Sequence, residues 1–89
     1  MTKSFFVYIV ECSDGSLYTG YTVDISRRVN EHNYSLKAAK YTRSRRPVRL
    51  VYHEVFDNIS DALKREYRIK KLSRKKKIAL IKSGKTCNL

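Results

Sequence analysis

The stretch FFVYIVECSDGSLYTGYT, residues 5–22, decides the fold of this chain. Two segments rich in β-branched and aromatic residues, Ser4 to Glu11 and Ser16 to Thr22, flank the pair Asp14-Gly15. This pattern is typical of a β-hairpin. Gly15 has no Cβ and adopts left-handed backbone conformations at little cost, so it can close a three-residue loop that contains a bulge. The sequence therefore predicts two antiparallel strands near the N-terminus.

The register of this hairpin decides which side chains share a face of the sheet. A three-residue loop pairs Tyr8 with Gly20 and places Tyr8 and Tyr18 on one face. A two-residue loop instead pairs Glu11 with Tyr18 and sends the two tyrosines to opposite faces, because a slip of one residue inverts a strand. We predict the first register, with both tyrosines on the same face.

The rest of the sequence predicts three helices and one further strand. The predicted elements are a helix from Ile25 to Tyr34 capped by Thr22 or Asp24, a strand from Val48 to Phe56, a helix from Asp61 to Leu72 capped by Ser60 or Asn58, and a helix from Ser73 to Ser83 that ends at Gly84. Between the first helix and the strand, residues 35–47 form a predicted basic loop with a helical turn at 36–39. The predicted fold is α+β, a three-stranded antiparallel sheet with flanking helices in the order ββαβαα.

Length and composition limit the class of protein. A chain of 89 residues is expected to form one domain, residues 1–89, with a core at about 4–83 and a tail at 84–89. The apolar runs are too short to cross a bilayer and the N-terminus lacks a secretory signal pattern, so we expect a soluble, cytoplasmic protein. The two cysteines lack the close spacing of a zinc site or a disulfide scaffold.

The formal charge of +12 arises from 20 basic and 8 acidic residues. The basic residues cluster at 40–49 and 68–77, where they would release counterions from a polyanion. Nucleic acid, and DNA above all, is the predicted partner; a solvated lysine-rich face or attraction to anionic lipid is the alternative. The predicted contact residues are Lys40, Tyr41, Arg43, Arg45, Arg46, Arg49, Lys70, Lys71, Arg74 and Lys75.

Three polar residues lie at or within the apolar faces of the predicted helices. In the first helix, Arg28 and His32 lie one turn apart along the edge of the buried stripe formed by Ile25 and Val29. In the second helix, Glu66 falls within an arc of apolar residues. A carboxylate in such a place must be paired, protonated or bound to a cation. An ion pair with a neighbouring basic residue is therefore the alternative to a metal site, and a boundary histidine is the alternative for His32.

Taken together, these residues resemble the GIY-YIG nuclease superfamily and its short, stand-alone bacterial branch. The resemblance rests on Phe6-Val7-Tyr8, Tyr18-Thr19-Gly20, Arg28, His32 and Glu66, with support from Lys40-Tyr41-Thr42-Arg43. It implies a metal-dependent endonuclease that hydrolyses DNA phosphodiester bonds with structure selectivity or weak specificity, and a role in DNA repair or recombination. The implied cofactor is one divalent ion, Mg²⁺ or Mn²⁺.

The resemblance also implies a role for each site residue. Glu66 would hold the divalent ion, and Arg28 would bind the scissile phosphate. Tyr8, Tyr18 and His32 would surround the attacking water, with Tyr18 the first choice of general base and Tyr8 or His32 the alternatives. Both tyrosine hydroxyls are expected to point towards Glu66.

Some positions depart from the family pattern. Phe6 stands where the family name has glycine, Thr19 stands where it has isoleucine, and an asparagine that many members carry after the glutamate helix is missing. A non-catalytic nucleic-acid-binding module that retains the nuclease fold is therefore the alternative function, and an adaptor for an acidic protein or ribosomal RNA is a third. We expect a monomer or a weak homodimer.

Overall fold

The computed structural model describes residues 3–83. Its elements are β1 (Phe5–Glu11), β2 (Leu17–Thr22), α1 (Ile25–Tyr34), α2 (Lys40–Arg43), β3 (Arg49–Phe56), α3 (Ile59–Lys70) and α4 (Arg74–Ser83). The strands form one antiparallel sheet in the order β2-β1-β3. The predicted α+β fold is confirmed, with the short helix α2 added between α1 and β3. The predicted tail and the Gly84 helix cap lie outside the described residues.

The hairpin adopts the predicted three-residue loop. Gly15 has a φ of 84°, and the Cys12 N–H donates to Ser16 O at 2.8 Å. Tyr8 pairs with Gly20, so the register that places Tyr8 and Tyr18 on one face is confirmed.

Helices cover both faces of the sheet. On one face, Val7, Ile9 and Tyr52 pack with Ala62 and Ile69 of α3. On the other face, a second cluster contains Tyr8, Val10, Cys12 and Val48, against which Val29 of α1 packs. The two predicted tyrosines therefore lie on the face that α1 covers. Among residues 3–83, no helix is long and apolar enough to span a membrane.

The helix boundaries differ modestly from the prediction. Helix α1 has the predicted bounds, and Asp24 caps it by accepting from the Arg27 N–H. Helix α3 begins two residues early, because the Asn58 side chain accepts from the Asp61 N–H and caps it. The predicted helical turn at 36–39 forms only as a single hydrogen-bonded turn, in which the Ala38 N–H donates to Ser35 O at 3.3 Å. There the Ser35 hydroxyl accepts from the Lys37 N–H, a local bond that favours a turn, and the helix forms at 40–43 instead.

The third strand departs from the regular alternation of faces that an uninterrupted strand would show. Tyr52 pairs with Ile9 and Leu50 pairs with Val10, so a β-bulge at Val51 shifts the register. Leu50 and Tyr52 consequently lie on opposite faces of the sheet. The bulge also places His53 beside Tyr8, on the face covered by α1.

Candidate active site

The site is built around Tyr8, whose side chain is 1% exposed. Its phenol ring lies over Gly20 of β2, so closely that a Cβ at position 20 would lie 2.6 Å from Tyr8 Cζ. Real Cβ atoms essentially never approach another heavy atom so closely. The glycine of the Tyr18-Thr19-Gly20 motif therefore leaves the space that lets Tyr8 extend across β2.

The Tyr8 hydroxyl begins a chain of buried hydrogen bonds. Tyr8 Oη lies 2.8 Å from His32 Nε2, and His32 Nδ1 lies 2.7 Å from Thr42 Oγ1. The Thr42 hydroxyl donates its only proton to Ala39 O at 3.0 Å. Thr42 must then accept from His32 Nδ1–H, which makes Nε2 of a neutral His32 the acceptor for the Tyr8 hydroxyl. The proton of Tyr8 thus points to His32 rather than to Glu66.

Burial controls the protonation of this pair. Burial raises the pKa of Tyr8 to about 12; Arg28 lowers this pKa, whereas the charges of Tyr18 and Glu66 raise it. Burial lowers the pKa of His32 to about 4, and the positive charge of Arg28 acts in the same direction. Tyr8 and His32 are therefore both neutral at pH 7. The charges of Arg28, Tyr18 and Glu66 therefore all act on the Tyr8 hydroxyl.

Tyr18 forms the outer wall of the site. Its ring packs edge-on against His32 with centroids 5.5 Å apart and stacks on Tyr41 of α2 at 5.9 Å. The guanidinium of Arg45 covers the far side of the Tyr41 ring at 3.9 Å. Within residues 3–83 the Tyr18 hydroxyl has no hydrogen-bond partner, so it differs from Tyr8 in being free to contact a ligand or water.

Arg28 of α1 is held in place by two hydrogen bonds. Its Nη1 donates to Glu31 Oε1 at 2.9 Å and to Lys37 O at 3.0 Å. This bond to Arg28 holds the pKa of the Glu31 carboxyl below its usual range. Only one end of the guanidinium is engaged in these bonds. The remaining N–H groups can bind an anion beside Tyr8, because arginine presents its donors as a planar fork.

Glu66 of α3 is the carboxylate of the candidate site. Its side chain is 19% exposed, and Lys70 Nζ lies 3.3 Å from Glu66 Oε2. The ion pair with Lys70, one of the alternatives from the sequence, is therefore present. The apolar arc predicted around Glu66 is wrong in part, since Ile59, Leu63 and Tyr67 are 43–62% exposed. Glu66 lies at the border between the buried and exposed sides of α3.

The donor set suits one kind of metal site. Among residues 3–83, no three His, Cys, Asp or Glu side chains form a cluster that could enclose an ion. Glu66 offers a partly exposed carboxylate whose ionic partner among residues 3–83 is Lys70. Mg²⁺ commonly binds through one or two carboxylates and keeps waters and substrate phosphate oxygens as its other ligands. Glu66 fits that arrangement. The described residues do not fit a site in which protein side chains supply all the metal ligands.

The ten predicted DNA-contact residues differ in whether their side chains already contact other protein groups. Five of the basic side chains already bind protein groups: Arg45 pairs with Asp14, Arg46 donates to His32 O and Ser35 O, Arg49 pairs with Glu11, Lys70 pairs with Glu66, and Arg74 donates to Gly15 O. Lys71 lies over the ring of Tyr67. Lys40, Arg43 and Lys75 form no ion pair within the described part of the chain, and Tyr41 is 39% exposed.

Sequence reasoning missed Thr42, although it is fully buried and orients His32. A threonine between exposed basic residues in Lys40-Tyr41-Thr42-Arg43 was the available signal, since its neighbours are all exposed. Glu31 was likewise absent from the predicted site, yet it binds Arg28. Helix spacing of three residues allows that contact.

Comparison with known proteins gives concordant matches. A family model described as the GIY-YIG catalytic domain matches residues 4–79. A UPF0213 protein of Staphylococcus saprophyticus is 60% identical over 79 residues, which cover 89% of this chain and 95% of that protein. A UPF0213 protein of Desulfotalea psychrophila is 58% identical over 81 residues, which cover 91% of this chain and 74% of that protein.

Two solved structures are similar as well. The solution NMR structure of a UPF0213 protein from Bacillus halodurans has 51% identity and a TM-score of 0.58, covering 89% of this chain and 83% of that one. That of a protein from E. faecalis has 44% identity and a TM-score of 0.62, covering 93% and 90%.

Proposed function

The chain belongs to the GIY-YIG catalytic domain family, and from this premise we propose that it is a metal-dependent endonuclease that hydrolyses DNA phosphodiester bonds. One observation carries the proposal. The Tyr8 hydroxyl is bonded to His32 and lies within the electrostatic influence of Arg28, Tyr18 and Glu66. We therefore assign to one site a phosphate binder, a metal-ligating carboxylate and hydroxyl groups, the set that hydrolysis of a phosphodiester requires.

Each side chain has a distinct task in the proposed reaction. The free N–H groups of Arg28 bind the scissile phosphate and stabilise charge on its oxygens, while Glu31 fixes the other end of the guanidinium. Glu66 is the residue that would hold Mg²⁺ or Mn²⁺, and the bound ion would supply further charge stabilisation at the phosphate and acidify a water. The attacking water forms a bond to phosphorus as the bond to the leaving DNA oxygen breaks.

The proton of the attacking water needs an acceptor. Tyr18 is the first choice, because its hydroxyl has no partner within residues 3–83 and can contact the water directly. Tyr8 is the alternative, since it could accept from water while passing its own proton to His32. That transfer is unfavourable, because the pKa of His32 is about 4 and His32 therefore does not hold a proton near pH 7. Tyr8 and His32 then serve chiefly to orient the site.

The proposed substrate is DNA that is selected by its shape or with little sequence specificity. A single small domain offers limited area for reading a long sequence, whereas a charge of +12 favours phosphate contacts at any sequence. The proposal also includes a cytoplasmic location, a monomer or weak homodimer, and a role in DNA repair or recombination. The competing function is DNA binding without catalysis, which the formal charge alone would also support.

A cleavage panel separates the two functions. Purified protein is incubated with linear, flapped and branched DNA in Mg²⁺, in Mn²⁺ and in EDTA, beside the Glu66→Ala variant. The matched control is Glu11→Ala, which removes a carboxylate from the ion pair with Arg49 at the other end of β1. We expect ion-dependent nicking that Glu66→Ala abolishes and Glu11→Ala retains. DNA binding without cleavage under every condition would leave the binding module as the function.

A further inference from the structure

A strip of apolar side chains on α3 lies beside Glu66 and belongs to neither apolar core cluster of residues 3–83. Ile59, Leu63 and Tyr67 follow one another at intervals of four residues and are 45%, 43% and 62% exposed. At 3.6 residues per turn, Leu63 and Tyr67 project about 60° and 100° around the helix from Glu66. Single exposed apolar residues are ordinary, but a contiguous strip marks a binding surface.

The strip borders a shallow groove with a basic rim. Leu63, Lys64, Tyr67 and Arg68 line the groove, which has a volume of about 390 Å³. Lys71 adds a further charge, with its Nζ 5.0 Å from the centre of the Tyr67 ring. Neither Lys64 nor Arg68 forms an ion pair with any described residue. The surface therefore combines an aromatic ring with three positive charges, which suits a base and its phosphates.

We propose that this surface binds unpaired nucleotides of the DNA substrate, with one base stacked on Tyr67 and the adjoining phosphates at Lys64 and Arg68. The inference rests on the proposed endonuclease function and extends it, because it gives the strand a path away from the scissile phosphate. A strand whose phosphate lies at Glu66 passes over the neighbouring side of the same helix, where the groove lies. Stacking on Tyr67 requires a base that is not already stacked within a duplex.

Charge complementarity favours DNA over a second copy of the chain. A two-fold symmetric dimer through this groove would place the same residues of both copies against each other. Lys64, Arg68 and Lys71 would then face their own counterparts, and the chain has a formal charge of +12. Repulsion between like charges opposes that contact, whereas a DNA strand neutralises all three residues.

The test measures DNA binding in EDTA, so that catalysis does not contribute. Fluorescence anisotropy compares a labelled fork with unpaired arms and a fully paired duplex. The variant is Tyr67→Ala, and the matched control is Tyr34→Ala, which removes an 82% exposed tyrosine from α1. We expect Tyr67→Ala to weaken fork binding about tenfold and to change duplex binding less than twofold, while Tyr34→Ala changes neither. An unchanged fork affinity, or equal losses on fork and duplex, would overturn the proposal.

Two further measurements test the phosphate contacts and the alternative of a dimer. The Lys64→Gln/Arg68→Gln variant should lower the salt slope for fork binding by about 0.7 per residue removed; an unchanged slope argues against phosphate contacts. Sedimentation that reveals a dimer which Tyr67→Ala dissociates would assign the groove to a second copy instead. Failure of the proposed function is distinguishable, because it appears in the cleavage panel, either as DNA left intact under every condition or as a Glu66→Ala variant with full cleavage activity.

Discussion

Tyr8 and Gly20 face each other across β1 and β2, and the Tyr8 ring occupies the space that a side chain at position 20 would need. Tyr8 cannot easily yield, because its hydroxyl is bonded to the buried His32. The smallest possible side chain at this position is therefore expected to displace a residue of the candidate site.

We predict that Gly20→Ala destabilises the fold by about 1–3 kcal/mol, the usual range for an overpacked core, and abolishes cleavage. The control is Gly15→Ala. Gly15 has a positive φ but nothing within 4 Å of an added Cβ, so this variant should lose stability and keep activity in the remaining folded protein. Urea unfolding and cleavage assays measure the two effects. Normal cleavage by Gly20→Ala would show that the position of Tyr8 is unimportant.

The two tyrosine hydroxyls should respond differently to removal. Tyr8→Phe leaves His32 Nε2 buried without its partner and should cost about 1–3 kcal/mol of stability. Tyr18→Phe breaks no hydrogen bond within residues 3–83 and should leave stability nearly unchanged. If Tyr18 is the general base, Tyr18→Phe nevertheless loses most of the cleavage rate while retaining DNA affinity. Full cleavage by Tyr18→Phe would transfer the role to Tyr8.

Much of this site was predictable from the sequence, because the turn at Gly15 sets the register and the register fixes the face of each tyrosine. Helix geometry placed Arg28 and His32 on one edge of α1 in the same way. The partners of these residues were not predictable. Thr42 reaches His32 because the chain turns at Ser35, after the end of α1, and α2 begins five residues later. The sequence pattern does not reveal this loop conformation.

The third strand shows where pattern reasoning fails. Regular alternation assigned Leu50 and Tyr52 to one face, but the bulge at Val51 inverts the pattern. Both faces of this sheet are covered by helices, so apolar residues suit either side and hydrophobicity does not reveal the extra residue. The same ambiguity affected α3, where Leu63 and Tyr67 are apolar but exposed.

The free energy of unfolding should decrease as the pH is lowered from 6.5 to 4. The pKa of His32 is about 4 in the folded protein and 6.5 in its reference state, so the unfolded chain binds more protons over this interval. His32 therefore contributes stability above pH 6.5 that is lost as the pH falls through 4, amounting to a few kcal/mol, on the order of 3. Urea unfolding at pH 4.5 and 6.5 measures the difference. In His32→Gln this pH dependence should largely disappear, and its persistence would place its origin elsewhere.

Two arginines of the basic segment should have separable effects. Arg46 donates to the carbonyl oxygens of His32 and Ser35 at the end of α1, so Arg46→Ala should cost about 1.5–3 kcal/mol of stability. Arg43 forms no ion pair within the described residues, and Arg43→Ala should leave stability within about 0.5 kcal/mol. For duplex binding, Arg43→Ala should instead reduce the salt slope by about 0.9. The reverse assignment of the two effects would contradict the structural role of Arg46.

The same substitution at two buried threonines should change stability in opposite directions. The Thr19 hydroxyl is buried and has no hydrogen-bond partner among residues 3–83, at the motif position where the family name has isoleucine. Thr19→Val removes this unsatisfied group and keeps the branched shape, so it should stabilise the fold by about 1 kcal/mol.

Thr42 is the matched control, because its hydroxyl accepts from His32 and donates to Ala39 O. Thr42→Val should destabilise by about 1–3 kcal/mol and leave His32 Nδ1 unpaired. Thermal and urea unfolding of the two variants give the signs directly. A loss of stability in Thr19→Val would contradict the prediction and would show that the Thr19 hydroxyl is satisfied in the folded protein, for example by a buried water.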